Sequence, residues 1–399
     1  MNGIFGKIES IERDEEKNFL VHFDAAHFDE GKPTFGPETR LRQILSKMSK
    51  AEFKEISKVS NYRERWFRIS TSQNGKFSAR STEGIGFTSH LALADGAGEV
   101  SRFDVEPIDR ALTTALNRTL GVINLEASDV SETSLWPFGF CWWEIDELRV
   151  LNVGQGSANC GMLGGSPFFY FDVGGGFGWN RRTYPSIRTL EVMPWTWVLL
   201  SHWDMDHFFS AMGPNNQALL AQPWLAPGPV PQRPTHVAFA RKILDSEGSL
   251  YLWSHVPRRP IRRIYGGLEI ARGSANFANR NGSGLVMKVP FGCEQHPERS
   301  VLLTGDAEYR YIPQTLSQGN SAVVVPHHGG KMQHLNVPAP RVKANEAVFV
   351  FSYGVDNTYG HPVDAVVHAH QTAGWNVRYD TCGGDVVFRC KNGGWHKQN

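Results

Sequence analysis

The stretch Ser201-His202-Trp203-Asp204-Met205-Asp206-His207 constrains this chain more than any other. It follows an apolar run, Trp195 to Leu200, whose length and Pro194 boundary predict a buried strand. It precedes Phe208-Phe209-Ser210-Ala211-Met212, which predicts the opening of a helix. Four metal-ligating side chains therefore stand where a strand ends and the backbone is fixed. Alternation along an extended segment sends His202, Asp204 and Asp206 to one side, and His207 follows as the chain turns. Two imidazoles and two carboxylates are too costly at the end of a core strand without a partner. A cation, or a pair of cations, is the simplest one.

The remaining composition narrows the class. A chain of 399 residues can bury a large core and supports one big domain plus a smaller one. The net charge of +1 gives no global attraction to nucleic acid or membranes, so an electrostatic partner has to be sought in local patches. Five cysteines at 141, 160, 293, 382 and 390 form no CxxC pair. That argues against a disulfide scaffold and a zinc ribbon and fits a reducing compartment. No signal pattern opens the sequence, and no apolar stretch reaches the roughly 18 residues a membrane span needs. The expectation is a cytoplasmic protein with no membrane partner.

Residues 1–140 are predicted to form an N-terminal domain of mixed α and β structure, with 141–399 as a second domain. Ile4 to Asp24 alternates around a charged centre and predicts a hairpin. Leu41, Ile44, Leu45, Met48, Phe53 and Ile56 predict a helix over Leu41 to Val59, and Asp109 to Leu120 predicts another. Glu126 to Ser134 reads as a polar linker. Basic residues from Arg40 to Arg80 surround Trp66 and Phe67, a pattern that suits nucleic-acid backbone contacts. The competing and favoured reading is a solvated helix face with inward-packed aromatics.

Beyond Cys141 the texture is strand, glycine turn, strand. Several predicted strands end in a polar or glycine turn, at Asp172, His202, Asp306, His327 and Tyr353. A sheet scaffold whose strand ends converge on one rim accounts for that pattern.

Six motifs in order carry a family resemblance. They are Asn152-Val153-Gly154-Gln155-Gly156-Ser157-Ala158, Phe171-Asp172-Val173-Gly174, Ser201 to His207, Leu303-Thr304-Gly305-Asp306-Ala307-Glu308, Val325-Pro326-His327-His328-Gly329-Gly330 and Asn357-Thr358-Tyr359-Gly360-His361-Pro362. From about 145 to 390 the chain resembles the metallo-β-lactamase superfamily, and within it the soluble hydrolase domain of ComEC-type DNA-uptake proteins. The resemblance implies an α+β fold, an αββα sandwich with two divalent metal ions (Zn or Mn) on the sheet rim, beside the smaller N-terminal domain.

Carried over residue by residue, the resemblance implies that His202, Asp204 and His327 hold one metal. Asp206, His207 and His361 would hold the other, with Asp306 bridging the two. Asp172 would orient a ligand. Which of His327 and His328 is the ligand stays open at this point, its neighbour being a proton donor to the leaving group. The catalytic set is then Asp206, His328 and Asp172. The donor set holds no thiolate, so selection of a soft metal by cysteine is absent.

Two departures from the family pattern bear on activity. Asp204 stands where many relatives have His, which hardens the first site towards Mn²⁺ or Mg²⁺. Asn152 and Ser157 stand where relatives tend to have Asp. Outside the motifs, Asn215 to Arg280 is predicted to be a pocket-shaping insertion whose arginines 258, 259, 262 and 263 contact phosphates, with a solvated strand edge as the even alternative. Trp179 to Arg182 is a second candidate rim contact, and Asn281 to Gly284 a structural turn. His368 and His370 read as helix-surface residues, and His22 and His236 have no ligand spacing.

The implied activity is metal-dependent hydrolysis of phosphodiester bonds, foremost as a nuclease on DNA or RNA. One alternative keeps the site but acts on a small phosphodiester or ester. The other is an effector subunit, for example in bacterial defence, in which residues 1–140 recruit a protein partner.

Overall fold

The computed structural model describes residues 2–14, 16–85, 98–129, 145–185, 188–253, 262–263, 267–290 and 299–389. The chain divides into two compact units. One comprises Met1–Glu126 with Phe177–Arg181 and Val230–Lys242, and the other Ala127–Gly176, Arg182–Pro229 and Ile243–Asn399. The boundary expected at 140 lies outside the described residues, as does most of the predicted 126–134 linker. Ser128–Asp129, within that linker, is instead a short strand. Among the described residues no helix is long and apolar enough to cross a membrane.

In the first unit six strands close a barrel. They are β1 (Asn2–Arg13), β2 (Phe19–Asp29), β3 (Arg40–Met48), β4 (Phe67–Thr71), β5 (Phe77–Ile85) and β6 (Glu99–Pro107), in the order β1-β2-β3-β5-β6-β4. The predicted hairpin is β1 and β2, paired antiparallel from Asn2↔Asp29 to Arg13↔Phe19. The predicted helix over Leu41 to Val59 is corrected. Its first half is β3, and only α1 (Lys50–Ser57) is helical, opened by a capping box of Ser49 and Glu52. β3 lies between β2 and β5 and is buried on both faces, Gln43 and Ser46 included, and its apolar residues at 41, 44, 45 and 48 imitate helical spacing. The helix predicted over Asp109 to Leu120 is α2 (Arg110–Gly121), with Asp109 as its cap.

Alternation assigns the two faces of the barrel wall. Val21, Phe23 and Ala25 join Ile44, Ile69, Phe77 and Phe103 in an apolar core. Between them His22, Asp24 and Gln43 face the other way, yet they too are buried, under the returning segment that starts α3 (Pro234–Asp245). The Asp24 carboxylate accepts from Thr235 N at 2.9 Å and from Gln43 Nε2 at 2.9 Å. A negative charge at the first turn of a helix is favourable. Glu9 pairs with Arg233 at 3.0 Å and His236 at 3.2 Å. Part of the predicted pocket-forming insertion is thus wall packing of this unit.

Trp66 and Phe67 are buried, and Trp66 Nε1 donates to Asn117 Oδ1. Several neighbouring cations are paired with acids: Arg40 and Arg42 with Glu83, Lys47 with Asp14 and Glu16, Arg68 with Glu30. The aromatics pack inward, although most of this stretch is barrel strand and only Lys50–Ser57 is helix.

The second unit carries two sheets. One has the order β21-β8-β9-β10-β11-β12-β13-β7, and contains β7 (Ser128–Asp129), β8 (Glu147–Val150), β9 (Ala158–Leu163), β10 (Ser166–Val173), β11 (Trp197–Leu199), β12 (Pro223–Pro227), β13 (Ser249–Trp253) and β21 (Val386–Arg389). The other runs from β14 to β20: β14 (Arg262–Arg263), β15 (Glu269–Arg272), β16 (Leu285–Pro290), β17 (Ser300–Leu303), β18 (Ala322–Val324), β19 (Val348–Phe351) and β20 (Val377–Asp380). Leu148, Phe169, Phe171, Leu199 and Leu225 of the first sheet share one apolar cluster with Met287, Val301, Leu303, Val324 and Val350 of the second. The sheets are therefore packed face to face.

Val323, Phe349 and Phe351 on the far side of the second sheet pack with Val366 of α4 (Asp364–Thr372) and with Trp375. On the first sheet, Trp224 Nε1 donates to the carbonyl of Leu219, which ends a 3-10 turn. The expected helix opening at Phe208 is likewise a 3-10 turn, Phe209–Met212. His370 is buried rather than on the helix surface, accepting at Nε2 from the Tyr309 hydroxyl at 2.8 Å. The result is a mixed α+β unit with a two-sheet core.

In the barrel Lys7 is 4% exposed, its ammonium 5.2 Å from the Trp66 ring centre. Burial, reinforced by the charge of Arg233 and opposed by Glu64, lowers its pKa from 10.5 to about 8. Between those values the unfolded chain holds a proton that the folded chain has released, so stability rises with pH across that window. Lys7→Met is expected to remove this rise and to be the more stable protein below its start, by on the order of 1–3 kcal/mol. Denaturant unfolding on either side of the window measures it. Equal pH responses in the two proteins would exclude Lys7 as the responsible group.

Candidate metal centre

Strand direction assembles the site. β10 and β11 are parallel, as are β17, β18 and β19, so each set delivers its carboxyl ends to one rim. Asp172 lies at the end of β10, and Ser201 and His202 follow β11. Asp306 follows β17, His327 and His328 follow β18, and Ser352 follows β19. Crevices beyond strand carboxyl ends are where open sheets bind ligands. Ser201 ties the two sheets together there. Its amide donates to Asp172 Oδ1 at 2.7 Å, and its carbonyl accepts from Leu285 N at 2.6 Å.

The metal-ligating loop turns through the 3-10 segment Met205–His207. Its backbone is held from beneath by two glycine turns. The Asp206 carbonyl accepts from Ser157 N at 3.1 Å and Gly175 N at 3.2 Å. A Cβ on Gly174 would lie 1.7 Å from that carbonyl oxygen, and one on Gly156 2.7 Å from it. Only glycine permits such an approach. Asn152 and Ser157 serve this scaffold: Asn152 Oδ1 accepts from Gly154 N, and the Ser157 hydroxyl accepts from Asn159 Nδ2.

Two groups of donor atoms gather within 4.8 Å of one another, His202 with His207 and Asp306, and Asp206 with His207 and His328. Asp306 Oδ1 is 3.2 Å from His207 Nε2 and 3.6 Å from His328 Nε2. Asp206 Oδ2 is 3.2 Å from His328 Nε2. His202 Nε2, His207 Nε2, His328 Nε2 and Asp306 Oδ1 are buried without a hydrogen-bond partner. Orphaned buried polar atoms of this kind cost stability unless something fills the space between them, and a divalent cation suits imidazole and carboxylate donors. The residues fit such a group.

The far side of each ring is anchored. His207 Nδ1 donates to Asp172 Oδ2 at 2.8 Å, and His328 Nδ1 donates to the Ser352 carbonyl at 2.8 Å. Ser201 Oγ is 3.0 Å from His202 Nδ1. The Gln155 amide group is 3.1 Å from His361 Nδ1. In His207 and His328, holding the proton on Nδ1 leaves the Nε2 lone pair for a metal.

His327 differs. Its Nδ1 faces Asp306 Oδ2 at 2.7 Å and the Asn281 amide at 3.2 Å, and its side chain is 38% exposed. His361 lies outside both donor groups, its ring centre 5.6 Å from that of His327 and 6.4 Å from that of His328. Asp204 also lies outside them. One of its oxygens is 3.5 Å from His202 Nε2, and the other lies 3.0 Å from the Arg280 guanidinium as an ion pair.

The charges agree with a cage built for cations. Burial favours neutral His207, but Asp306, Asp172 and Asp206 outweigh it and hold the imidazole well above its ordinary pKa. Burial would raise Asp306, yet His207, His327, His328 and His202 hold it well below the carboxylate range. Asp204 is likewise depressed, Arg280 and His202 overcoming the effect of burial. Burial, followed by the charges of His327 and His328, lowers His361 to about 3, which keeps it neutral.

Other predicted contacts fall elsewhere. Trp179 to Arg181 belong to the first unit, and Arg182 donates to the Asp356 carbonyl at 2.6 Å. Arg258 and Arg259 lie outside the described residues, and of Arg262 and Arg263 only the strand is described. Sequence reasoning passed over Ser201, Gln155, Arg280, Asn281 and the Ser352 carbonyl. Ser201 and Gln155 stood inside quoted motifs, whereas a backbone carbonyl leaves no signal in residue type.

No family model matches the chain, and no curated protein matches it. Among solved structures one similar chain is a mutant of CmlA beta-hydroxylase, at 12% identity and a TM-score of 0.34, covering 78% of this chain and 69% of that one. A likeness at that level carries no argument about chemistry. The ComEC-type resemblance therefore rests on its motifs, and the metal centre on its own geometry.

Proposed function

We propose that this chain is a metal-dependent hydrolase of phosphodiester bonds, with a polynucleotide as its foremost substrate. The observation that carries the reading is the buried set His202, His207, His328 and Asp306, whose unpartnered donor atoms face a common space. Asp206 completes the set, and His361 and Asp204 stand at its margin. The polynucleotide assignment draws on the ComEC-type motifs. A small phosphodiester is the second reading, favoured by the burial of Trp66 and Phe67 and the pairing of nearby cations.

A pair of divalent cations held there supplies Lewis acidity towards a phosphoryl oxygen and a nucleophile at neutral pH. The chain's own residues do the rest. Asp172, Ser352 and Ser201 fix the ring orientations, and Asp306, which lies between His207 and His328, would help to hold the cations. His328 takes the ligand position, because its Nδ1 proton is committed to a carbonyl and its Nε2 faces Asp206 and Asp306. His327, partly exposed and hydrogen-bonded to Asp306, takes the other role, holding a proton near the departing alcohol. These are the reverse of the places in the catalytic and metal sets that the resemblance implied.

Purified protein supplied with Mn²⁺ or Zn²⁺ is expected to cleave a labelled polynucleotide or a chromogenic phosphodiester, and a chelator to stop it. Asp306→Asn and Asp206→Asn should each lower turnover by about a thousandfold or more. Undiminished cleavage by Asp306→Asn would end this reading; cleavage of the small diester alone would select the second substrate class.

Asp172→Asn should weaken metal binding about 10–100-fold, read by competition with a metal-sensitive dye. Unchanged affinity would show that Asp172 does not orient His207.

A further inference from the structure

His207, His328 and His361 each have a neighbour at Nδ1, and the neighbours are not alike. The Asp172 carboxylate beside His207 and the Ser352 carbonyl beside His328 can only accept a proton. The neighbour of His361 is the side-chain amide of Gln155, which donates from one end and accepts at the other. Its nitrogen, Nε2, is the end that stands 3.1 Å from His361 Nδ1. An amide nitrogen does not accept, so Nδ1 does, and the one proton of the neutral ring lies on Nε2. That is the nitrogen a cation needs. The bond suits a ring that stands outside both donor groups, as His361 does.

The backbones of both residues are held. Gln155 is 1% exposed, and its main-chain N donates to Thr183 Oγ1 at 2.8 Å. A Cβ on Gly354 would lie 2.8 Å from that nitrogen. Asn357 clamps His361, accepting from its N at 3.0 Å and donating to its carbonyl at 2.8 Å. A Cβ on Gly330 would lie 2.6 Å from His361 Nε2 and would also press on the His327 ring, so the Nε2 edge faces the turn that carries His327 and His328. The other end of the amide, Gln155 Oε1, is buried and makes no hydrogen bond among the described residues. A half-turn of the amide about its last bond therefore gives up only the bond to His361, and remakes it with donor and acceptor reversed.

We propose that Gln155 is the positioning residue of His361, a reversible amide that decides which ring nitrogen is bare. With its nitrogen towards the ring the proton is on Nε2, and His361 stands aside. With its oxygen towards the ring the proton is on Nδ1, and Nε2 is open to a cation. The ring is neutral in both states and one proton changes sides. A cation that binds only the second state draws the population towards it. The cage thus has a fixed part, made of His202, His207, His328, Asp206 and Asp306, and one conditional ligand. This deepens the metal-centre part of the function proposed above and rests on it, without depending on the substrate. Two cations are then held unequally, the weaker being the one on the His361 side.

The test uses full-length protein and Zn²⁺ alone. Long-range proton–nitrogen spectra of the histidine rings read the tautomers, and calorimetry follows the binding steps. In the metal-free native protein His361 is expected to carry its proton on Nε2, and in the protein holding two Zn²⁺ on Nδ1. The second binding step should be weaker than the first by at least about tenfold. Gln155→Glu presents only acceptors, so its metal-free His361 should already hold a proton on Nδ1 and its second step should strengthen by about tenfold or more. Gln155→Met, which removes the partner, should weaken the second step by about 10–100-fold and leave the first in place.

A proton on Nδ1 in the metal-free native protein, or on Nε2 once both ions are bound, would overturn the proposal whether or not either variant folds. So would a second step unchanged in both variants. If the native protein binds no Zn²⁺, the metal-dependent reading falls together with this one. If it binds two and cleaves a phosphodiester while His361 keeps one tautomer throughout, only the role given to Gln155 falls.

Discussion

An imidazole serves a cation only through a nitrogen that carries no proton, so the candidate centre depends on where the other proton is kept. In this fold it is kept by the rim itself. Asp172 at the end of β10 holds His207, the carbonyl after β19 holds His328, and the Ser201 hydroxyl lies beside His202. Ser201 also receives Asp172 on its amide and gives its carbonyl to Leu285. Ser201 thus both flanks the His202 ring and, through its carbonyl, joins the two sheets. Sheet packing and ligand orientation cannot be separated in this arrangement.

The rim stores some strain to achieve this. Asp172, His327 and His328 all adopt left-handed backbone, with φ of 64°, 54° and 56°. Each such non-glycine residue costs on the order of 1–3 kcal/mol and persists only where its surroundings over-determine it. For Asp172 those surroundings are visible, since both carboxylate oxygens are engaged. For the paired histidines the left-handed turn sends adjacent side chains to different tasks, one into the buried donor group and one to the exposed margin.

Much of the second unit was legible because its strands are short, apolar and punctuated by the polar residues that form the site. The motifs located His202, Asp206, His207 and Asp306 without any knowledge of pairing. What residue type could not convey was the division of labour between His327 and His328, which turns on the Ser352 carbonyl. Nor could it show that Asp204 faces a guanidinium, because Arg280 is remote in sequence. In the first unit the error over β3 has a plain origin. A strand buried on both faces loses its period of two, and Leu41, Ile44, Leu45 and Met48 then mimic one side of a helix. The buried His22 and His370 escaped for the same reason as any polar residue in a core: their partners are distant along the chain.

The glycine turns beneath Asp206 carry a mechanical consequence. With Gly156 and Gly174 pressed against its carbonyl, the main chain there has no slack in either direction. Such a cage cannot drift by fractions of an ångström to suit a larger or smaller ion. A different ion would have to be met by a different donor atom on that unmoving frame.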